Sequence, residues 1–266
     1  MQSKKKTFRK DKRGASPAIS MVIITAATVV LVMISGSYGF LILERQKASA
    51  EFDVVAKSFL TLDDAVKDIA FDRGGSRSVR FTTSYGAVAL LPDGRDLTIQ
   101  VTEPEYNDVY YKLSTGVVKY SVPTSYISFG DGYSSFMAGS DSSVISSTAD
   151  SFSQLLANQE SGYLTLTLNY RVRVTEEGPY PRANYVDILV IRLDCISLPY
   201  LTGEFDLVAR NVAVTTKAFG PFAAGGSVAT FSVSTEEGAE NEVSLALNSG
   251  LETVFNLIIA DVRVSP

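Results

Sequence analysis

The sequence predicts an α+β protein, a long N-terminal hydrophobic helix followed by a mostly antiparallel, β-sandwich-like outer region. Three observations carry that expectation. Residues Ala15 to Leu43 are twenty-nine positions without one Asp, Glu, Lys or Arg. Apolar residues then recur at helical spacing from Phe52 to Ile69. From Arg77 onward the period falls to two, and turn residues separate the runs.

The first element is the uncharged stretch. At 1.5 Å per residue it would extend about 44 Å as a helix, against a bilayer hydrocarbon core of roughly 30 Å. Before it stand Lys4, Lys5, Lys6, Arg9, Lys10, Lys12 and Arg13 against the single acid Asp11. Such a cluster is held on the cytoplasmic side of a membrane, which places the C-terminal two hundred residues outside. The expected organisation is a basic leader over 1–14, a transmembrane or filament-core helix over 15–43, an amphipathic continuation over 44–73 and an extracellular β-rich region over 76–266.

The junction reads Lys12-Arg13-Gly14-Ala15-Ser16-Pro17-Ala18-Ile19-Ser20: a basic pair, a glycine, small residues, then the apolar helix. It resembles the class III signal peptide of type IV pilin-like proteins, in particular archaeal pilins and archaellins. In that family a membrane aspartic peptidase, the prepilin peptidase, cuts directly after the glycine. The resemblance implies a cut between Gly14 and Ala15, flanked by Lys12 and Arg13. Glycine lacks a Cβ and lets a protease approach an irregular backbone closely. Pro17 suits the first helical turn, where its missing N–H breaks no bond. Bacterial members usually carry Glu at the fifth mature position. Here that position is Ile19, which fits the archaeal branch and removes any Glu-to-amine contact between subunits. The resemblance covers residues 9 to 45 only.

A second processing signal competes with the first. Ala48-Ser49-Ala50 has the A-x-A form cut by ordinary signal peptidase and would give a soluble protein starting at Glu51. Secretory apolar regions run about 7–15 residues, much shorter than this one, and Glu44, Arg45 and Lys47 intervene before the cut.

In the next segment Phe52, Val55, Phe59, Leu62, Val66 and Ile69 form one stripe at spacings of three and four, with acids and lysines on the other faces. The helix is expected to run to about Asp72, with Ser35-Gly36-Ser37 and Gly39 as places for a bend and Gly74-Gly75 as its stop. The stripe docks either on the chain's own β-rich region or on another subunit, and spacing alone does not separate the two.

Expected strands are Ser78 to Thr83, Ala87 to Leu91 and Leu97 to Thr102, with Pro92-Asp93-Gly94 as a turn. Val109 to Leu113 and Val117 to Val122 flank Ser114-Thr115-Gly116 as a hairpin. Ser125 to Ser153 reads as a long surface excursion with short strands. Leu164 to Val174 alternates apolar and polar residues, and Tyr185 to Leu193 is apolar on both faces like an interior strand. Later runs are Val208 to Thr216, Ser227 to Ser234, Glu242 to Asn248 and Thr253 to Val264. The outer region is expected as one domain or as two modules joined near residues 140–158.

The remaining residues limit the chemistry. The whole chain has a net charge of −5, and because the leader is strongly basic the rest carries −11, which opposes nucleic-acid binding. The chain has no histidine and one cysteine, Cys195, so Ser-His-Asp and Cys-His catalysis, His-containing zinc sites and an intramolecular disulfide are all ruled out. Cys195, between Asp194 and Ile196, reads as a core residue. Asp63-Asp64, Glu176-Glu177 and Glu236-Glu237 read as solvated acids rather than a catalytic pair. Neither a calcium loop nor a phosphate-binding glycine loop is recognisable. Tyr106, Tyr110, Tyr111, Tyr126 and Tyr133 could line a sugar-binding platform, although core or rim positions are the simpler reading.

The expected function is structural, without enzymatic activity or cofactor: a pilin-like subunit whose partners are the membrane, the prepilin peptidase and like subunits or other pilins. Before processing it would be a single-pass membrane protein with a cytoplasmic N terminus, and afterwards part of an extracellular filament or the cell surface. The alternative is a membrane-anchored binding or adhesion protein, or a minor pilin, that does not form the bulk filament.

Overall fold

A 54-residue α-helix, α1 (Pro17–Ala70), opens the computed structural model. The structure describes residues 17–102, 109–139, 142–147, 151–177, 183–223, 227–236, 238 and 240–266. The chain divides into two compact units, Met1–Lys47 and Ala48–Pro266, with the boundary inside α1.

Val22, Ile23, Ile24, Val29, Val30, Val32 and Ile34 are β-branched and indifferent helix formers in water. Without water a helix satisfies every backbone group locally, so the same residues are compatible with it. The helix runs through Ser35–Gly39 without interruption. It ends at Ala70, slightly before the expected limit. The reason is a cap that the sequence does not advertise: the Asn211 side-chain amide donates to the carbonyls of Ile69 and Ala70, and its backbone N–H donates to Gly75 O at 2.9 Å. Gly74, with φ of +81°, then turns the chain into the sheet.

Twelve strands follow: β1 (Ser76–Val101), β2 (Tyr110–Pro123), β3 (Ser134–Ala138), β4 (Ile145–Ser146), β5 (Ser153–Glu160), β6 (Tyr163–Tyr170), β7 (Val172–Glu177), β8 (Ala183–Cys195), β9 (Leu198–Phe222), β10 (Val228–Thr235), β11 (Glu240–Ala246) and β12 (Glu252–Ser265). Hydrogen bonding joins them in the order β3-β5-β6-β2-β1-β9-β12-β8-β7-β4, with β10 pairing β1 and β11 at the side. The pairs are antiparallel except β12 with β8 and β4 with β7. The α+β class therefore holds, and the pairing gives one mixed sheet rather than two separately bonded ones.

Several local expectations change. The three strands expected between Ser78 and Thr102 are one strand, β1, and Pro92-Asp93-Gly94 is a bulge in it, because Leu91 pairs with Val117 and Arg95 with Thr115. Proline has no N–H to give the ladder and is tolerated at such a bulge. Ser114-Thr115-Gly116 is not a hairpin turn but lies inside β2. Gly116 serves close packing there, since a Cβ would lie 2.8 Å from Cys195 Sγ and 2.9 Å from Leu193 O. The run from Leu164 to Val174 splits at buried Arg171, whose N–H bonds to Phe152 O, and the chain changes partners between β6 and β7. Strand β5 was hidden by its polar composition. Its signal was Ser161-Gly162, a two-residue turn with φ of +52° and +81° at the two positions.

Two apolar cores form, and both draw on the same long strands. Val88 and Leu90 of β1 enter the first with α1, β2 and β6, whereas Leu97, Ile99 and Val101 enter the second with β8, β10 and β12. Phe59 sits fully buried in the first core, with its ring edge-on to Phe81 at 5.5 Å. Phe59→Ala should cost about 3–5 kcal/mol in equilibrium denaturation of the full chain in detergent, while Val54→Ala, on the exposed face, should change stability by less than about 0.5 kcal/mol.

Candidate functional site

The feature that sets this chain apart is the apolar part of α1. Every residue from Ile19 to Leu43 is exposed. By length and composition this exposed stretch can cross a membrane. Even its hydroxyls suit a dry environment: Thr25 Oγ1 donates to Met21 O at 2.8 Å and Thr28 Oγ1 to Ile24 O, each satisfied one turn back. In water this surface would go unpaired with any apolar partner, at a cost of about 25 cal/mol for each Å². Lipid or other helices of the same kind would remove that cost.

Beyond Lys47 the same helix is built differently. Phe52, Val55, Phe59, Leu62, Val66 and Ile69 are all buried in the first core, against β1, β2, β6 and β9 of the chain's own sheet. Of the two docking partners left open by the spacing, the structure thus shows the chain's own sheet. Each such side chain is worth roughly 1.5–3 kcal/mol when fully buried.

A polar clamp fixes this docking. Glu51, one residue before the stripe, accepts N–H bonds from Ser84 at 2.8 Å, Tyr85 at 3.0 Å and Gly86 at 3.2 Å, and the Tyr120 hydroxyl donates to it at 3.0 Å. A carboxylate receiving several donors is held firmly in orientation. Gly86 is required by the approach, because a Cβ there would fall 2.4 Å from the Tyr120 ring. Burial, together with the adjacent Glu51 charge, raises the Tyr120 phenol well above its ordinary value of 10.0. The spacing puts Glu51 among the acids off the apolar stripe, and only the fold shows three consecutive amides aimed at it.

A second polar point lies further along. Asp63, read from sequence as solvated, is buried: its Oδ2 lies 2.7 Å from Lys67 Nζ and accepts a 2.6 Å bond from Ser153 Oγ. Its neighbour Asp64 is the exposed member of the pair. Burial alone would lower Lys67, but Asp63 and Asp64 more than offset it and hold the ammonium above its usual value. Burial first, and the Asp63 charge second, push the Tyr170 phenol far upward.

The remaining candidates scatter. Gly14, Ala15, Lys12 and Arg13 lie outside the described residues, as do Tyr106 and Glu237. Tyr126 and Tyr133 pack on the first core, Tyr111 packs on the second beneath Lys217, and Tyr110 is exposed, so these rings make no single platform. Glu176 and Glu177 end β7 in solvent. Cys195 is buried, and its thiol is pushed up to about 12, chiefly by burial, so it stays protonated and unreactive at neutral pH. Among the described residues no three His, Cys, Asp or Glu side chains gather as metal ligands. Comparison with protein-family models, curated proteins and solved structures gives no match.

Two outcomes follow from the clamp. Glu51→Ala leaves three amides without their acceptor and should destabilise the chain by about 2 kcal/mol or more, with faster hydrogen exchange at Ser84, Tyr85 and Gly86. The raised Tyr120 and Tyr170 values mean that the folded state keeps protons that the unfolded state loses above pH 10.0. Their contribution is therefore complete below that pH and lost as pH rises above it. Denaturation midpoints measured from pH 8 to 11.5 should fall steeply past pH ~10, and Tyr120→Phe should make that fall shallower while lowering stability at pH ~7.

Proposed function

We propose that this chain is a type IV pilin-like structural subunit, processed after Gly14 by a prepilin peptidase and assembled through its N-terminal helix into a cell-surface filament. The observation that carries this reading is the continuous uncharged helical surface from Ile19 to Leu43, exposed on all sides and preceded by Lys12-Arg13-Gly14. Such a surface is solvated by acyl chains while the subunit waits in the membrane. Bundling with copies of itself hides the same area inside a polymer. The β-rich unit then forms the outside, and its role is structural rather than catalytic. The partners are the membrane, the peptidase and like subunits, with nucleic acid excluded by the acidic balance.

Release by ordinary signal peptidase is disfavoured by the position of Ala48-Ser49-Ala50. These residues are inside α1, and Ala48 is fully buried, whereas a peptidase acts on accessible, extended backbone. A single-pass anchored binding protein is the second reading. It is favoured by the size of the outer unit, Ala48–Pro266, which is large for a bulk filament subunit.

Mass spectrometry of the native N terminus should find Ala15, and Gly14→Leu should leave the leader attached and remove the protein from sheared surface filaments. Native protein that keeps its leader, or normal cleavage in the variant, overturns the processing step. Protein cleaved at Ala15 yet missing from filaments leaves the anchored binding protein as the reading.

A further inference from the structure

The outer face of the sheet carries a trough that the assembly role does not use. Three hollows of about 610, 150 and 500 Å³ adjoin one another, and Lys119 lines all three. Strand register explains their alignment. Asn158 of β5, Thr165 of β6, Ser121 of β2 and Ala87 of β1 are successive cross-strand partners, forming one row across four strands. Leu156, Thr167, Lys119 and Ala89 form the next row. The alternate residues of these strands, such as Val88, Tyr120 and Leu166, fill the first core, so the rows themselves face outward.

The lining has a specific chemistry. The floor is small, with Ala87 and Ala89 leaving room above the backbone. Two rings stand at this end: Tyr200, 79% exposed, and Tyr163, 49% exposed. Together they give this end of the trough two accessible aromatic faces. Between them the polar groups are mostly uncharged hydroxyls and an amide. The Thr165 hydroxyl bonds Asn158, and the Asn158 amide nitrogen has no partner among the described residues. Half-buried Lys119 makes no ion pair among the described residues, and the three hollows together carry Lys119 and Arg95 against the single acid Glu160.

We propose that this trough binds a neutral glycan chain. Sugar rings have one face of C–H groups that packs on an aromatic ring and a rim of hydroxyls that both donate and accept. Tyr200 and Tyr163 meet the first need, while Ser121, Asn158, Thr165 and Lys119 meet the second. An anionic polymer is opposed by the −11 balance of the chain beyond its leader, which the excess of one positive group in the lining, Lys119 and Arg95 against Glu160, does not offset. An extended ligand suits hollows that follow one another across adjacent strands. This site is independent of whether the helix polymerises.

The test uses the full chain in a sugar-free detergent, titrated calorimetrically with cellohexaose, maltohexaose, mannohexaose, chitohexaose and hexagalacturonate. At least one neutral hexaose should bind with Kd below about 1 mM, and hexagalacturonate should not. Tyr200→Ala and Tyr163→Ala should each weaken that binding about tenfold without changing the thermal midpoint. Tyr110→Ala, exposed on another part of the sheet, should leave it unchanged. The proposal is overturned if no neutral hexaose binds, if only hexagalacturonate binds, or if neither Tyr200→Ala nor Tyr163→Ala weakens the binding. None of these outcomes bears on cleavage after Gly14 or on filament formation.

Discussion

The structure depends on one helix with two kinds of surface. Up to Leu43 its side chains are apolar on every face and exposed; from Phe52 only one face is apolar, and that face is buried under the sheet. The change requires a fixed point, and Glu51 supplies it. Hydrophobic burial has no direction and would tolerate the helix sliding or rolling by part of a turn. A carboxylate that must accept from Ser84, Tyr85, Gly86 and Tyr120 at once would not. At the far end Asn211 closes the last carbonyls. The stripe provides the energy of docking, and the two polar ends provide its register.

The sheet is organised so that this docking is shared widely. Strands β1, β8 and β12 each contribute to both cores, so the core that receives the helix and the core that does not are joined by continuous backbone. The bulge at Pro92-Asp93-Gly94 lies between the portions of β1 that serve each core. Gly116 lets β2 pass close to Cys195 and Leu193 near the same level. A disturbance beneath the helix therefore reaches strands whose other ends hold the second core. That coupling ties the two cores together in a chain whose single cysteine can form no internal disulfide.

What the sequence made legible were the features that repeat. Twenty-nine uncharged residues, a stripe at spacings of three and four, and period-two runs each report an average environment, and averages survive local exceptions. Features that depend on a distant partner were not legible. Pro92-Asp93-Gly94 carries every mark of a turn, and only its pairing with β2 makes it a bulge. Glu51 and Asp63 look like other helical acids until residues 33 and 90 positions away supply their donors. Strand β5, with its Gln, Asn and Ser, is a strand because β6 folds back on it through Ser161-Gly162. The trough is of the same kind, since Asn158, Ser121 and Ala87 become neighbours only through register.

Charge gives the two parts of the chain opposite tendencies. The −11 balance beyond the leader makes outer units repel one another, but at physiological salt that repulsion decays over about 8 Å and acts mainly between surfaces nearly in contact. Exposed helices carry no charge and feel none of it. On the filament reading, association is driven wholly at the helices, where each Å² hidden from water or packed against a like surface favours the polymer. The acidic exteriors then only limit how closely neighbours pack. A protein with the reverse distribution, charged helix and apolar sheet face, would aggregate through its outside before it could be ordered from within. On that same reading, keeping the attraction on a rod that lipid can solvate would let the subunit stay monomeric in a membrane until helices are brought side by side.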